Sequence, residues 1–309
     1  MPNSLRGRDL TGMFDLNRHE LTEVLELALE LKRRARANIF DKPLAGNTLG
    51  LLFQKPSLRT RVSFEVAMGQ LGGKVLYLSR DEVGMGLREE VPDVAMVLSR
   101  YFDVIAARVF EHRIVVELAK HAEIPVINAL SDGEHPCQIL ADLLTILERR
   151  GRLKGLKVAY VGDGNNVAVS LGLGCALMGM HFFCATPSGY ELPREAVDRM
   201  NERNAKRQGT LHELNDPKEA ARGAHVIYTD VWTSMGQEAE REQRTKDFAG
   251  FTVDDDLLAL GDDPMVLHCL PAHYGEEISR EVGRGPRSAI WDQSENRLHA
   301  QKALLALVV

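Results

Sequence analysis

Residues 53–65 read FQKPSLRTRVSFE, where an apolar run ends, a proline sets a turn and a helical pattern begins. A helix start leaves four backbone N–H groups without intrahelical acceptors and carries the positive end of the helix dipole. Ser57 and Thr60 add hydroxyl donors there, and Arg59 and Arg61 add guanidinium forks suited to phosphate oxygens. In a generic sequence Ser57 would only cap the helix and the arginines would be solvated. Two arginines in a first turn oppose the dipole, however, unless an anion lies beside them. The stretch therefore reads as a phosphate grip.

Other residues fall at ends of predicted strands, where open parallel sheets present groups to ligands. Arg108 closes the run at 103–109. In DGEHPCQILADLLT, His135 and Gln138 stand three apart across a helix start, so both can face one site. The GDGNN turn after residues 156–161 lacks the G-x-G-x-x-G spacing of a dinucleotide loop, so no nucleotide cofactor is expected. A carboxamide there, at Asn166, can hold a carboxylate or an ammonium. Asp230 opens DVWTSMG after residues 225–229, offering a carboxylate beside free backbone N–H groups, the pair a free amino acid needs. Cys269, in HCLPA, is either a packed core thiol or one facing a ligand. His268 and His273 flank Cys269 without a recognised ligand spacing, and no metal is expected.

The positioning elements alternate between short β-type runs and longer helical periods, which predicts α/β architecture with parallel sheets flanked by helices. Strands are expected at 48–53, 74–78, 103–109, 125–128, 156–161, 180–184, 225–229 and 265–270. Helices are expected at 20–37, 59–71, 91–101, 111–121, 166–178 and 191–207. Another begins at His135-Pro136, because proline suits a first helical turn, and runs to about Arg150 as a bridge. The chain of 309 residues exceeds what one core usually supports. Two domains are expected, 1–150 and 151–293, joined by interdomain helices, with a terminal helix over 294–309 packing back on the first.

Composition narrows the partners. With 38 Lys and Arg against 44 Asp and Glu, there is no basic excess to suit nucleic acid. No segment has the length and apolarity of a signal core or a membrane span, so no membrane partner and a cytoplasmic location are expected. The four cysteines show no short paired spacing and are read as thiols.

The string FQKPSLRTRVSFE resembles the carbamoyl-phosphate motif of the aspartate and ornithine carbamoyltransferases, usually S-T-R-T-R, with Leu58 in place of a threonine. The backbone N–H at Leu58 survives while one hydroxyl contact is lost. HPCQ resembles that family's second carbamoyl-phosphate motif, and GDGNN, DVWTSMG and HCLPA resemble its ornithine branch. The resemblance implies that Ser57, Leu58, Arg59, Thr60 and Arg61 bind the phosphate of carbamoyl phosphate. It implies that Arg108, His135 and Thr60 donate to the carbonyl oxygen, Gln138 accepts from the carbamoyl NH2, and Arg297, in SENRLH, reaches the carbonyl oxygen. Asn166, Asp230, Ser234 and Met235 would hold the α-amino and α-carboxylate groups of L-ornithine. Cys269 and Asp230 would orient and help deprotonate its δ-amine, while Leu270 offers a backbone carbonyl. The implied product is citrulline, on the route of arginine biosynthesis.

Two other functions compete with this one. Putrescine or an acylated ornithine could be the amine, but the S-M-G run argues for a free α-amino acid end. A non-catalytic binding protein on the same fold is disfavoured because every reactive group from Ser57 to Arg297 is retained. The resemblance also implies a homotrimer, or a multiple of trimers, in which a neighbour's loop completes the site. The corresponding stretch here is SRDEVGMGLREEVPD, and Gly84, ahead of Gly86, stands where the family often has Gln or His. Either Arg88 supplies the contact instead or the neighbour's contribution is absent. Exchanging Arg88 for alanine should weaken carbamoyl phosphate binding in steady-state titrations, and an unchanged affinity would remove this role.

Overall fold

The computed structural model describes residues 5–85, 88–234 and 236–309; Gly86 and Met235, named above, lie outside the described residues. The chain divides into two compact units, one made of the residues up to Leu144 with Glu295–Val309, the other of Thr145–Ser294. The first unit runs α1 (Arg18–Arg36), β1 (Thr48–Phe53), α2 (Leu58–Gln70), β2 (Lys74–Ser79), α3 (Arg80–Val83), α4 (Val91–Leu98), β3 (Val104–Arg108), α5 (His112–His121) and β4 (Val126–Leu130). Helix α6 (Pro136–Arg150) spans the division. The second unit continues with β5 (Lys157–Val161), α7 (Asn166–Met178), β6 (His181–Ala185), α8 (Arg194–Arg207), β7 (Thr210–Leu214), α9 (Pro217–Ala221) and β8 (Val226–Thr229). Then come α10 (Arg241–Asp247), α11 (Asp255–Leu258), β9 (Met265–His268), α12 (Arg280–Arg284) and α13 (Ile290–Val308).

Each unit holds one parallel sheet, ordered β2-β1-β3-β4 in the first and β7-β6-β5-β8-β9 in the second. Strands β3 (VIAAR), β8 (VIYT) and β9 (MVLH) are buried along their whole length, which is why they read as unbroken apolar runs. Gly50 in β1 is a packing requirement, since a Cβ there would sit 2.8 Å from the ring of Phe102. In both sheets the strand order reverses once, between β1 and β3 and between β5 and β8. A reversal parts the flanking loops at the carboxyl ends of those strands and opens a crevice there. The segments after β1, β3, β5 and β8 are the ones that carry Ser57 to Arg61, Arg108, Asn166 and Asp230.

Several elements differ from the sequence expectation, among them the short helices α3 and α9 to α12, which were not expected. Strand β7 was not expected either, because TLHEL is an edge strand whose residues are exposed or half-buried, leaving no apolar alternation. Strand β9 stops at His268, so Cys269 and Leu270 belong to the following turn, where Leu270 has φ +61° and its bond to Pro271 is cis. Among the described residues no helix is long and apolar enough to cross a membrane.

The terminal helix α13 begins four residues earlier than its periodicity suggested, and from Glu295 onward it belongs to the first unit. Its buried positions include Asn296, Arg297, His299, Gln301 and Lys302, which blurs any apolar stripe. Lys32 Nζ donates to Asn296 Oδ1 at 2.7 Å, and Lys302 Nζ to Gln70 Oε1 at 2.6 Å, tying α13 to α1 and α2. Burial holds the His299 imidazole down at about 4, opposed in part by its 3.2 Å hydrogen bond to Glu295. The unfolded chain binds that proton near pH 6.5 and the folded one only near 4, so stability is fully present above 6.5 and falls with pH through that interval. Thermal unfolding of the parent between neutral pH and about pH 4 should therefore fall more steeply than that of His299→Gln; parallel curves would contradict this.

Candidate active site

In the first unit, Ser57 caps α2, with Oγ accepting from Thr60 N at 3.3 Å and lying 3.1 Å from Thr60 Oγ1. No acidic residue occupies the first turn of α2, so nothing in the chain neutralises its dipole there. Arg108 ends β3, beside Phe53 of β1 and Leu130 of β4, and is buried. His135 precedes Pro136, and its carbonyl accepts from Gln138 N at 3.0 Å. Arg297, from α13, donates through Nη2 to Thr60 Oγ1 at 2.8 Å and through Nη1 to Gln138 Oε1 at 3.2 Å. Gln138 Nε2 donates to Asp142 Oδ1 at 2.8 Å. Four elements thus bring Thr60, Arg108, His135, Gln138 and Arg297 together, all buried.

Burial pushes the His135 imidazole well below its usual range, and the positive charges of Arg297, Arg108 and Arg59 push it further in the same direction. The ring is neutral at physiological pH and carries a single N–H to donate. Three cations around a neutral imidazole form a site that favours an anion. Neighbouring Cys137 takes no part: burial raises its thiol to about 12, and its Sγ lies 3.4 Å from the carbonyl oxygen of Asn128.

Two residues of the phosphate stretch point elsewhere. Leu58 is 76% exposed. Arg61 donates to Glu65 Oε1 at 2.8 Å and its guanidinium lies 4.1 Å from the ring centre of Tyr77. That i,i+4 pair provides Arg61 with the negative partner the first turn otherwise lacks, so the case for an anion rests on Arg59.

In the second unit, Asp230 follows β8 and is buried. Cys269 Sγ donates to its Oδ1 at 2.9 Å, and Asn165 Nδ2 donates to its Oδ2 at 2.9 Å. Asn165 Oδ1 meanwhile caps α7 by accepting from Val167 N at 3.0 Å and Ala168 N at 3.1 Å. Asn166 is the first residue of α7 and is half-buried. Ser234 N donates to Gln237 Oε1 at 3.0 Å. The turn bearing Cys269 and Leu270 is held by His268, whose Nδ1 accepts from Leu270 N at 2.8 Å. Its Nε2–H therefore donates to Glu277 Oε1, at 2.9 Å.

Asp230, His268 and Cys269 each place one ligand-type atom within 4.8 Å of the others, as do His273, Glu276 and Glu277. The first set is already joined internally by the thiol-to-carboxylate bond and by the tautomer of His268. Asn165, Asp142 and Glu277 were given no role from the sequence, and His268 was weighed only as a metal ligand. Only Asn165 had a legible signal, an Asn directly before a helical run.

The sequence pattern of the aspartate/ornithine carbamoyltransferase carbamoyl-P binding domain matches residues 8–148, and that of the Asp/Orn binding domain matches 154–308. The chain belongs to the aspartate/ornithine carbamoyltransferase family. Among curated members, the ornithine carbamoyltransferase of Symbiobacterium thermophilum is 53% identical over 307 residues, covering 99% of each chain. The anabolic ornithine carbamoyltransferase of Pyrococcus furiosus is 52% identical over 99% of this chain and 98% of its own. The solved ornithine carbamoyltransferase structure from Pyrococcus furiosus superposes with a TM-score of 0.96, at 51% identity over 99% of this chain and 98% of that one. The one from Gloeobacter violaceus gives 0.88 at 50% identity, over 98% and 99%. In this carbamoyltransferase Arg297 lies in the stretch matching the Asp/Orn domain, yet its side chain sits in the first unit with Thr60 and Gln138.

The depressed His135 pKa has a direct consequence. In a protein labelled at histidine, the His135 ring resonances should not titrate between pH 6 and 8, and a midpoint near 6.5 would contradict the neutral imidazole.

Proposed function

We propose that the chain transfers the carbamoyl group of carbamoyl phosphate to the δ-amine of L-ornithine, giving L-citrulline and phosphate. The observation that carries this reading is the cluster of buried Arg108 and Arg297 with half-buried Arg59 around a neutral His135, beside a helix start without acidic residues. The phosphate sits on the first turn of α2, on Ser57, Arg59, Thr60 and the backbone N–H of Leu58, while Arg61 adds longer-range charge. Thr60 Oγ1 accepts from Arg297 at 2.8 Å, so the Thr60 hydroxyl proton can turn to the substrate's carbonyl oxygen and the Ser57 hydroxyl to the phosphate. Arg108, His135 and Arg297 direct further donors to the same oxygen. Negative charge builds there as the amine attacks, and donors fixed before reaction are each worth about 3 kcal/mol. Gln138 Oε1 accepts from the carbamoyl NH2.

In the second unit, Asn166, Ser234 and Met235 hold the α-amino and α-carboxylate groups. Asp230 and Cys269 take the δ-amine, with the Leu270 carbonyl beside them. A lysine-like amine is protonated up to about pH 10.4, so it must lose a proton before attack. The Asp230 carboxylate, oriented by the Cys269 thiol that donates to its Oδ1, takes that first proton. The C–N bond then forms as the C–O bond to phosphate breaks, and the second amine proton passes to the departing phosphate.

We further propose that the chain works as a homotrimer in the cytoplasm. Leu58, Val62 and Val66 recur every four residues along α2 and are 76%, 45% and 40% exposed, an apolar stripe beside the phosphate grip. Four free thiols suit a reducing compartment. Arg88 donates to the carbonyl oxygen of Glu82 at 3.1 Å and is exposed, so it is placed where a neighbouring copy could meet it.

Purified protein should form citrulline from carbamoyl phosphate and L-ornithine and do so far better than it carbamoylates putrescine or an acylated ornithine. Asp230→Asn should lower kcat/KM for ornithine by about 10²-fold or more, since it weakens proton acceptance near the amine. Carbamoyl phosphate binding should be spared. A preference for putrescine, or full activity in Asp230→Asn, would overturn this assignment.

A further inference from the structure

We propose that residues 9–13 brace His135 for reaction through the carboxylate of Glu134, which makes Glu134 and Gly12 positioning residues. The inference rests on the reading of His135 as a donor to the carbonyl oxygen. It starts at β4, the edge strand whose far end leads into the His135 loop. That edge is covered by the N-terminal segment: Leu10 N donates to the Val126 carbonyl at 2.9 Å, and Asn128 N donates to the Leu10 carbonyl at 2.7 Å. Asp9 Oδ1 accepts from Val126 N at 2.8 Å.

From there the segment follows the loop. The buried amide of Asn128 donates to the Thr11 carbonyl at 2.8 Å and also lies 3.1 Å from Ser131 Oγ and 3.3 Å from the Glu134 carbonyl. Beyond it, Met13 N donates to Glu134 Oε2 at 2.8 Å, with Glu134 only 6% exposed. Gly12 is the residue that leaves room for this, because a Cβ there would overlap the Glu134 carboxylate, whose Cδ lies 2.8 Å from that point.

The brace is itself rigid. Asp15 Oδ2 accepts from Thr11 N at 2.6 Å, Thr11 Oγ1 at 2.8 Å and Gly12 N at 3.1 Å. His135 is therefore gripped on two sides: its own carbonyl accepts from Gln138 N of α6, and the preceding residue is anchored to the chain's first turn. A buried carboxylate is an expensive way to fill space, since its desolvation costs several kcal/mol unless donors meet it. What it provides is direction: a carboxylate on a backbone N–H fixes the Cα of residue 134, and with it the line along which the His135 ring leaves the chain. A displacement of 1 Å in a positioned group can cost about 10²-fold in rate.

The test uses Glu134→Ala, Gly12→Ala and Glu134→Gln in the full chain, with two readouts. Glu134→Ala and Gly12→Ala should lower kcat by about 10- to 100-fold with less than about threefold change in the KM for ornithine. Glu134→Gln keeps an acceptor for Met13 N and should restore kcat to within about threefold of the parent. Independently of turnover, the His135 ring resonances should shift in the first two variants and return in the third. A purely structural Glu134 would lower the unfolding temperature while the folded fraction kept the parent's kcat and His135 resonances, and that result overturns the proposal. If Glu134→Ala does not fold, Gly12→Ala against Glu134→Gln decides. A parent that makes no citrulline defeats the proposed function instead, and the resonances still decide whether the brace exists.

Discussion

Mutual repulsion among close cations is the constraint around which the first unit is organised. Arg59, Arg108 and Arg297 come from three separate elements and bear on one buried imidazole, whose burial and cationic surroundings both favour its neutral form. Such an arrangement is costly, because Arg108 and Arg297 have left water and all three meet like charge. The chain offsets part of the cost with acceptors: Gln138 Oε1 and Thr60 Oγ1 take Arg297, and Asp142 turns the Gln138 amide so that its oxygen faces the guanidinium. Under the proposed function, a substrate dianion would remove the remainder, and the energy of holding the cations together would become affinity for phosphate. A neutral His135 follows first from its burial and then from the same repulsion, and suits a donor that must not add a fourth charge.

The sheets decide where such a cluster can form. Reversal of strand order between β1 and β3 brings the segment after one strand beside the end of the other, so Ser57 to Thr60 and Arg108 are neighbours despite fifty residues of separation. Reversal between β5 and β8 does the same for Asn165 and Asp230, which meet at 2.9 Å. One topological rule, applied twice, places an anion site in one unit and a carboxylate with a thiol in the other.

Much of this was legible in the sequence. The parallel strands were readable because burial on both faces makes them continuous apolar runs; Arg108 and Asp230 stood out because they sit where those runs end, and His135 because it opens a helix. Edge strand β7 was not, since half its residues face water. The supporting residues were also hidden. Asp142 lies in a helical run where an acid would normally be taken for surface, and Glu277 is nine residues from the histidine it serves. Long-range hydrogen bonds leave no periodicity. Arg61 shows the converse: composition made it a phosphate ligand, while its i,i+4 carboxylate and the Tyr77 ring draw it along the outside of α2. Pair geometry, which spacing alone underdetermines, directs that side chain.

The supporting residues share one logic across both units. Each reactive group is hydrogen-bonded on the side away from its substrate, leaving the facing atom available. Asp142 holds the amide nitrogen of Gln138, so its oxygen is turned inward. Asn165 holds one oxygen of Asp230 and Cys269 the other, so the carboxylate plane is fixed before an amine arrives. Glu277 takes Nε2–H of His268, which obliges Nδ1 to accept from Leu270 N and sets the turn in which the Leu270 carbonyl and the Cys269 thiol are presented. Because Asp142 and Glu277 are buried, reorienting the group each holds would leave a donor or acceptor without water or protein to satisfy it, at a cost of about 1 to 3 kcal/mol. That penalty keeps the donors aimed while charge develops, and a polar group already aimed pays no reorganisation energy in the transition state.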